Sequence, residues 1–163
     1  MTLSVHQATN DDVSEAALLF DQYRVFYQQT SDPLLAEKFI RERIEKNESI
    51  IFVVKSSAGN SAEKSDIESE VGNKLVGFAQ LYPSFSSVSA KRTWVLNDLF
   101  VIPEMRSKGV GKTLLQQAKS FAESTHAKGI GLQTAITNTS AQRLYESLGY
   151  KKNTQFLGYF LEL

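Results

Sequence analysis

The stretch of this 163-residue chain with the most chemical potential runs Leu96-Asn97-Asp98-Leu99-Phe100-Val101-Ile102-Pro103-Glu104-Met105-Arg106-Ser107-Lys108-Gly109-Val110-Gly111-Lys112-Thr113-Leu114-Leu115. Its residue types describe a hydrophobic strand, a proline-bearing turn with two glycines, and the start of an apolar-periodic helix. Glycine lets a backbone approach a ligand closely, and the first N–H groups of the helix have no partner within it. Together with the positive end of the helix dipole, such a terminus suits pyrophosphate. Gly111-Lys112-Thr113 also has the tail of a nucleotide-binding P-loop. That loop needs glycine where this chain has Arg106, so the P-loop reading fails on its first residue.

Bulk composition narrows the remaining chemistry. Lysine plus arginine equals aspartate plus glutamate at 18 each, which gives no electrostatic reason to expect nucleic acid or an anionic membrane as partner. The absence of cysteine excludes disulfides, thiol catalysis and thiolate metal sites. His6 and His126 are the only histidines and lie far apart, so no metal site is expected. The N-terminal residues lack the basic flank and apolar run of a signal peptide. The longest apolar run, Ile50 to Val54, is too short to cross a bilayer. A soluble, cytoplasmic protein is expected.

The elements that must position the strand–turn–helix follow from periodicity. Leu3, Val5 and Gln7-Ala8 suggest a first strand. Asn10-Asp11-Asp12 offers caps for a helix from Val13 to about Gln29, and Pro33 opens a second helix. Ser49 to Lys55 reads as a buried strand. Residues 56–72 are polar and read as an exposed loop insertion rather than a domain boundary. Strands are expected over Lys74–Leu81, broken by Pro83, and over Thr93–Val101, ended by Pro103. A helix follows to about Glu123, then a strand from Gly129 to Ile136, a helix from Ser140 to Leu148, and two short C-terminal strands. The early neighbours can be hairpins, while crossovers through helices require parallel pairing. The expectation is a single 1–163 domain of α/β (α+β) class with helices on both faces of a mixed sheet.

Arg106-x-x-Gly109-x-Gly111, with its strand before and Leu114-Leu115 after, resembles the acetyl-CoA signature of the GNAT N-acetyltransferases. About 30 residues on, Asn138 followed by Ala141-Gln142-Arg143-Leu144-Tyr145-Glu146-Ser147-Leu148-Gly149-Tyr150 resembles the second cofactor motif of that family. The resemblance spans essentially the whole chain and implies a mostly antiparallel seven-stranded sheet with about four helices. It implies that Leu99, Phe100 and Val101 offer backbone groups to the pantetheine arm. It places pyrophosphate on the amides of Ser107, Lys108, Gly109, Val110, Gly111 and Lys112, with Arg106 beside them. Asn138 and Ala141 would contact the cofactor, and the Tyr145 hydroxyl would protonate the departing thiolate.

A general base is harder to assign. Diamine acetyltransferases of the family often read Leu-Glu-Asp where this chain has Leu96-Asn97-Asp98, and an asparagine cannot take a full proton. Asp98 remains as base or substrate anchor, with a water chain or a purely structural carboxylate as the alternatives. Strand alternation puts its side chain on the opposite face from Asn97. A backbone N–H near Phe100 is the natural donor to the oxyanion. Tyr23, Tyr27, Tyr82 and Asn97 are candidates to line the acceptor pocket, with a plain half-buried helix face as the competing reading of Tyr23 and Tyr27. Lys108 and Lys112 can also be plain solvated lysines, and His126 has no catalytic role. The implied activity is direct acetyl transfer from acetyl-CoA to a primary amine, foremost a small molecule, by a homodimer. A protein lysine or N-terminal acetyltransferase, or a non-catalytic coenzyme A-binding module, is the alternative.

Overall fold

In the computed structural model, which describes residues 2–57 and 74–163, the alternating first segment becomes strand β1 (Thr2–Gln7). Helix α1 (Val13–Phe26) follows a short 3-10 turn at Asn10–Asp12. That turn is closed reciprocally: Thr9 Oγ1 accepts from the Asp11 amide, and the Thr9 amide donates to the Asp12 carboxylate at 2.9 Å. Helix α2 (Pro33–Glu45) starts on proline and is capped by Asp32, whose Oδ1 accepts from the Leu35 amide at 3.0 Å. Then come β2 (Ile50–Ser57), β3 (Lys74–Ser86), β4 (Lys91–Val101), α3 (Val110–Ser124) and β5 (Ile130–Leu132). These elements form one compact unit, Met1–Leu132. A second unit, Gln133–Leu163, carries helix α4 (Thr139–Ser147).

The sheet order is β1-β2-β3-β4-β5. The first four strands pair antiparallel, and β5 pairs parallel to β4 after the crossover through α3. One face is covered by α1 and α2: Val13, Ala16, Leu19, Phe20, Ala36 and Ile40 pack with Ile51, Val53, Phe78 and Phe100 of the strands. On the other face Phe121 of α3 meets Phe52 and Trp94 at ring separations of 5.6 and 5.0 Å. The mixed sheet and the four helices match the expectation, with five strands among the described residues rather than seven.

Three differences have physical reasons. The C-terminal residues 150–163 carry strand-like composition in Phe156, Leu157, Tyr159, Phe160 and Leu161, yet all five are exposed and none lies in a strand. A strand exists by pairing its N–H and C=O groups with a neighbour, and within Gln133–Leu163 no such neighbour forms. For the same reason β5 stops at Leu132 instead of reaching Ile136. Conversely, β3 continues through Pro83 to Ser86. Pairing with β2 ends at Leu81, so Pro83 lies where β3 has a strand on one side only, a place that tolerates a missing N–H. Of the polar insertion at 56–72, Ser56 and Ser57 belong to β2 and residues 58–72 lie outside the described residues.

Candidate active site

The middle of β4 departs from regular pairing. Asp98 is opposite Gln80 and Leu96 is opposite Leu81, so Asn97 is an extra residue with no partner across the ladder. Such a bulge bends the strand and resets which way its side chains point. Trp94 lies on the α3 face against Phe121, whereas Phe100 lies on the α1 face against Phe78 and Tyr23, so the alternation changes phase between them. Unbroken alternation would set Asn97 and Asp98 on opposite faces; instead their side chains meet, the Asn97 amide donating to Asp98 Oδ1 at 3.0 Å. The displaced Asn97 carbonyl receives the Tyr23 hydroxyl at 3.5 Å.

The bulge also ends the pairing of β4 on its other side. β5 joins β4 only at Trp94, Val95 and Leu96. From Asn97 through Leu99, Phe100 and Val101, β3 covers one edge of β4, and among the described residues no strand covers the other. An extended ligand carrying amide groups can add to such an edge.

Behind the bulge lies a line of buried polar side chains that sequence reasoning missed. The Ser49 hydroxyl donates to Gln80 Oε1 at 2.8 Å, and Gln80 Nε2 donates to Asp98 Oδ2 at 2.6 Å. Gln80 is fully enclosed and Asp98 is only 3% exposed. Isolated polar residues just before β2 and on β3 and β4 give no sequence signal for this line, which only the strand register assembles. Tyr82 is half-buried, and its hydroxyl is pushed up to about 12, first by burial and then by the charge of Asp98. It therefore stays a neutral donor at physiological pH and is no base.

An aromatic patch adjoins the bulge. The Tyr23 ring lies 5.0 Å from Tyr27, 5.9 Å from Phe78 and 6.4 Å from Phe100, and Tyr27 is half exposed. Thus Tyr23 and Asn97, two of the acceptor candidates, do come together, while Tyr82 sits beside Asp98.

After β4 the chain makes a 3-10 turn at Pro103–Met105, and Met105 anchors it in the interior. Arg106, Ser107, Lys108 and Gly109 are exposed. Ser107 at φ 60° and Gly109 at φ 86° are both left-handed, which folds the loop tightly against the start of α3. No side chain caps that helix, so the amides of Val110, Gly111 and Lys112 form its open N-terminus. Val110 itself is buried and reaches β3. A Cβ on Gly77 would lie 2.8 Å from the Phe100 carbonyl oxygen and 3.0 Å from Val110 Cγ1, so a glycine on β3 is what lets α3 start this close to the sheet. Gly77 too escaped sequence reasoning. Arg106 is held against β4 and α1: its Nε donates to the Val101 carbonyl at 3.1 Å, and its guanidinium lies 5.8 Å from the Phe26 ring.

In the second unit Asn138 caps α4, its Oδ1 accepting from the Ala141 amide at 3.2 Å. The helix ends on Gly149 at φ 89°, where the Tyr150 amide donates to the Tyr145 carbonyl at 3.1 Å. Tyr145 is buried, with its ring 5.8 Å from that of Tyr150. Burial raises the Tyr150 hydroxyl above its ordinary range.

A bulged strand with an open edge, joined through a 3-10 turn and a glycine-bearing loop to an uncapped helix, fits an acyl-CoA-type acyltransferase fold. The chain belongs to the Acetyltransferase (GNAT) family, whose pattern it matches over residues 17–150. It is an acetyltransferase enzyme. It is 42% identical over 161 residues to the uncharacterized N-acetyltransferase YhfO of Bacillus subtilis, covering 99% of this chain and 98% of that protein. The crystal structure of a probable acetyltransferase matches with TM-score 0.84 and 38% identity, covering 98% of this chain and 97% of the other. A structure of AAC(6')-Iy with the bisubstrate analog CoA-S-monomethyl-acetylneamine shares the fold at TM-score 0.74 and 16% identity, covering 100% of both chains.

Proposed function

We propose that the protein transfers the acetyl group of acetyl-CoA directly to a primary amine, foremost a small-molecule amine, in a ternary complex. The observation that carries this reading is the succession from the β4 edge at Leu99–Val101, which no strand among the described residues covers and whose Val101 carbonyl receives Arg106, to the loop from Ser107 and the uncapped helix start at Val110–Lys112. These residues fit the two ends of the coenzyme's arm. Amide groups of pantetheine can pair with the strand edge, and pyrophosphate can sit on the uncapped helix terminus, where no side chain competes for the N–H groups. Lys108 and Lys112 stand exposed nearby to meet negative charge. The bound acetyl-CoA would supply an acetyl group activated as a thioester.

The chain's own residues have three tasks. The first is to bring in the acceptor and accept a proton from it, because an alkylamine is neutral in only about one molecule per few thousand at pH 7. Asn97, Tyr23 and Tyr27 are our candidates for lining its approach. Asp98 is enclosed, with both oxygens already receiving amide hydrogens, so water at the bulge is a better first recipient of the proton than Asp98 by direct contact. The second task is to hold the carbonyl oxygen as it gains charge, for which the backbone near Phe100 is the candidate. The third is to return a proton to the leaving sulfur, which we assign to Tyr145 on the motif it belongs to. By the same family resemblance, we assign Asn138 and Ala141 to cofactor contact. The 163 residues then act as one domain, working as a cytoplasmic homodimer.

Incubation with acetyl-CoA and a panel of spermidine, L-lysine, kanamycin and a lysine-containing peptide tests this reading. Thiol release accompanied by an acetylated small amine is the expected result. Acetylation of the peptide alone would replace the small-molecule acceptor by a protein one. Acetyl-CoA binding without turnover of any amine would leave only a coenzyme A-binding module.

A further inference from the structure

Asn97 is the exposed end of a polar line whose other members are buried. Asp98 has two side-chain donors, Gln80 Nε2 at 2.6 Å and Asn97 Nδ2 at 3.0 Å, one on each carboxylate oxygen. Amide nitrogens can only donate, so the Asp98 carboxylate is an acceptor at both oxygens. A buried carboxylate favours whichever amide orientation points nitrogen toward it, which fixes Gln80 with its oxygen toward the Ser49 hydroxyl. The same rule applied to Asn97 turns its Nδ2 inward and leaves its Oδ1 as the outward acceptor. Hydrogen-bonded chains polarise one another, so electron density displaced by Asp98 arrives at that outward oxygen. An asparagine thus presents, at the bulge, the negative end of a dipole backed by a full charge.

We propose that Gln80, oriented by Ser49, is a positioning residue for the acceptor amine, acting through Asp98 to aim Asn97 Oδ1 at an amine N–H. This rests on the amine-acetyltransferase reading above and adds to it the groups that orient the acceptor. The orientation excludes Asn97 as a proton acceptor and gives it a hydrogen-bonding role toward an amine or ammonium, which always has a hydrogen to give. It also predicts disfavour for acceptors whose nucleophile cannot donate there.

The test is a double-mutant cycle on the full-length protein, with acetyl-CoA and each member of the panel above that turns over. Asn97→Ala should raise the KM for the amine by about tenfold, the worth of one hydrogen bond polarised by charge. Gln80→Leu, of similar shape but without donor or acceptor, should raise it by a comparable factor, and acetyl-CoA affinity should stay as in wild type. In the doubly substituted protein the two effects should not multiply, because Gln80 acts only through Asn97. Ser49→Ala, at the far end of the line, should raise the amine KM by roughly two- to threefold, and decides the matter if Gln80→Leu does not fold. A role confined to packing would lower the melting temperature and leave the amine KM untouched. Either an unchanged amine KM in a folded Gln80→Leu or Ser49→Ala protein, or multiplying effects, overturns the inference while leaving the acetyltransferase reading intact. Failure of every panel amine to be acetylated by the wild type overturns both.

Discussion

Gly77 offers the sharpest test of how the cofactor cradle is built. Its position on β3 has no unusual backbone conformation to protect, so Gly77→Ala acts through space alone. The added methyl would meet the Phe100 carbonyl oxygen at 2.8 Å, Val110 Cγ1 at 3.0 Å and Leu114 Cδ1 at 3.4 Å. The first contact is backbone of a paired strand and cannot give way as a side-chain tip would. Relief has to come from moving β4 or the first turn of α3, and overpacking of this kind costs about 1–3 kcal/mol. For a chain of this size that corresponds to a fall in Tm of roughly 2–12 °C. Shifting the α3 terminus would misalign amides proposed to hold pyrophosphate. Losing one charge-assisted bond of about 1.5–3 kcal/mol weakens acetyl-CoA binding by roughly tenfold or more. Differential scanning calorimetry and isothermal titration with acetyl-CoA read the two effects. Gly131→Ala is the control, since a Cβ there meets nothing within 4 Å. A Gly77→Ala protein with unchanged Tm and unchanged acetyl-CoA affinity would refute the claim that this close approach sets the cradle.

Gly109→Val places a branched side chain at φ 86°, where there is open space but the wrong backbone region. It should abolish measurable acetyl-CoA binding while retaining cooperative thermal unfolding, and normal affinity by calorimetry would put the phosphate cradle elsewhere. Tyr145→Phe should lower kcat by about 10²-fold or more with acetyl-CoA affinity nearly unchanged, as expected for loss of a general acid; wild-type turnover would remove the assignment. Tyr82 holds its proton more tightly folded than unfolded, its hydroxyl being raised from 10.0 to about 12. Its contribution to stability is therefore fully present below pH 10 and lost as pH rises toward about 12. Tyrosinate absorbance should show late-titrating tyrosines, Tyr82 and Tyr150 among them, and one late step should disappear in Tyr82→Phe; an identical titration in that variant would contradict the burial argument.

The parts of this molecule that could be read in advance are those where one residue type answers one local demand. Gly109 sits at a positive φ that other residues resist, and Pro33 opens a helix with no N–H to satisfy, so each announces its place. Ser107 adopts the same left-handed region as Gly109 without any such sign. The bulge was hidden because Leu96-Asn97-Asp98-Leu99-Phe100 keeps a plausible alternation whether or not a residue is skipped in the pairing. Missing it put Asn97 and Asp98 on opposite faces, when they share a hydrogen bond. Gln80 and Ser49 stand 31 positions apart, and only the pairing of β2 with β3 joins them. The apolar C-terminus misled in the other direction, since composition can favour a strand but cannot provide its neighbour. Pro83 did so too, because whether a proline breaks a strand depends on which edge is open.

Transfer of a 13C-labelled acetyl group from acetyl-CoA, followed by mass spectrometry of the amines and by thiol release, tests the central claim most directly. The account predicts labelled amide on a small primary amine in one-to-one proportion with released thiol. Thiol release with the label recovered only as acetate, or no release with any amine, would contradict it.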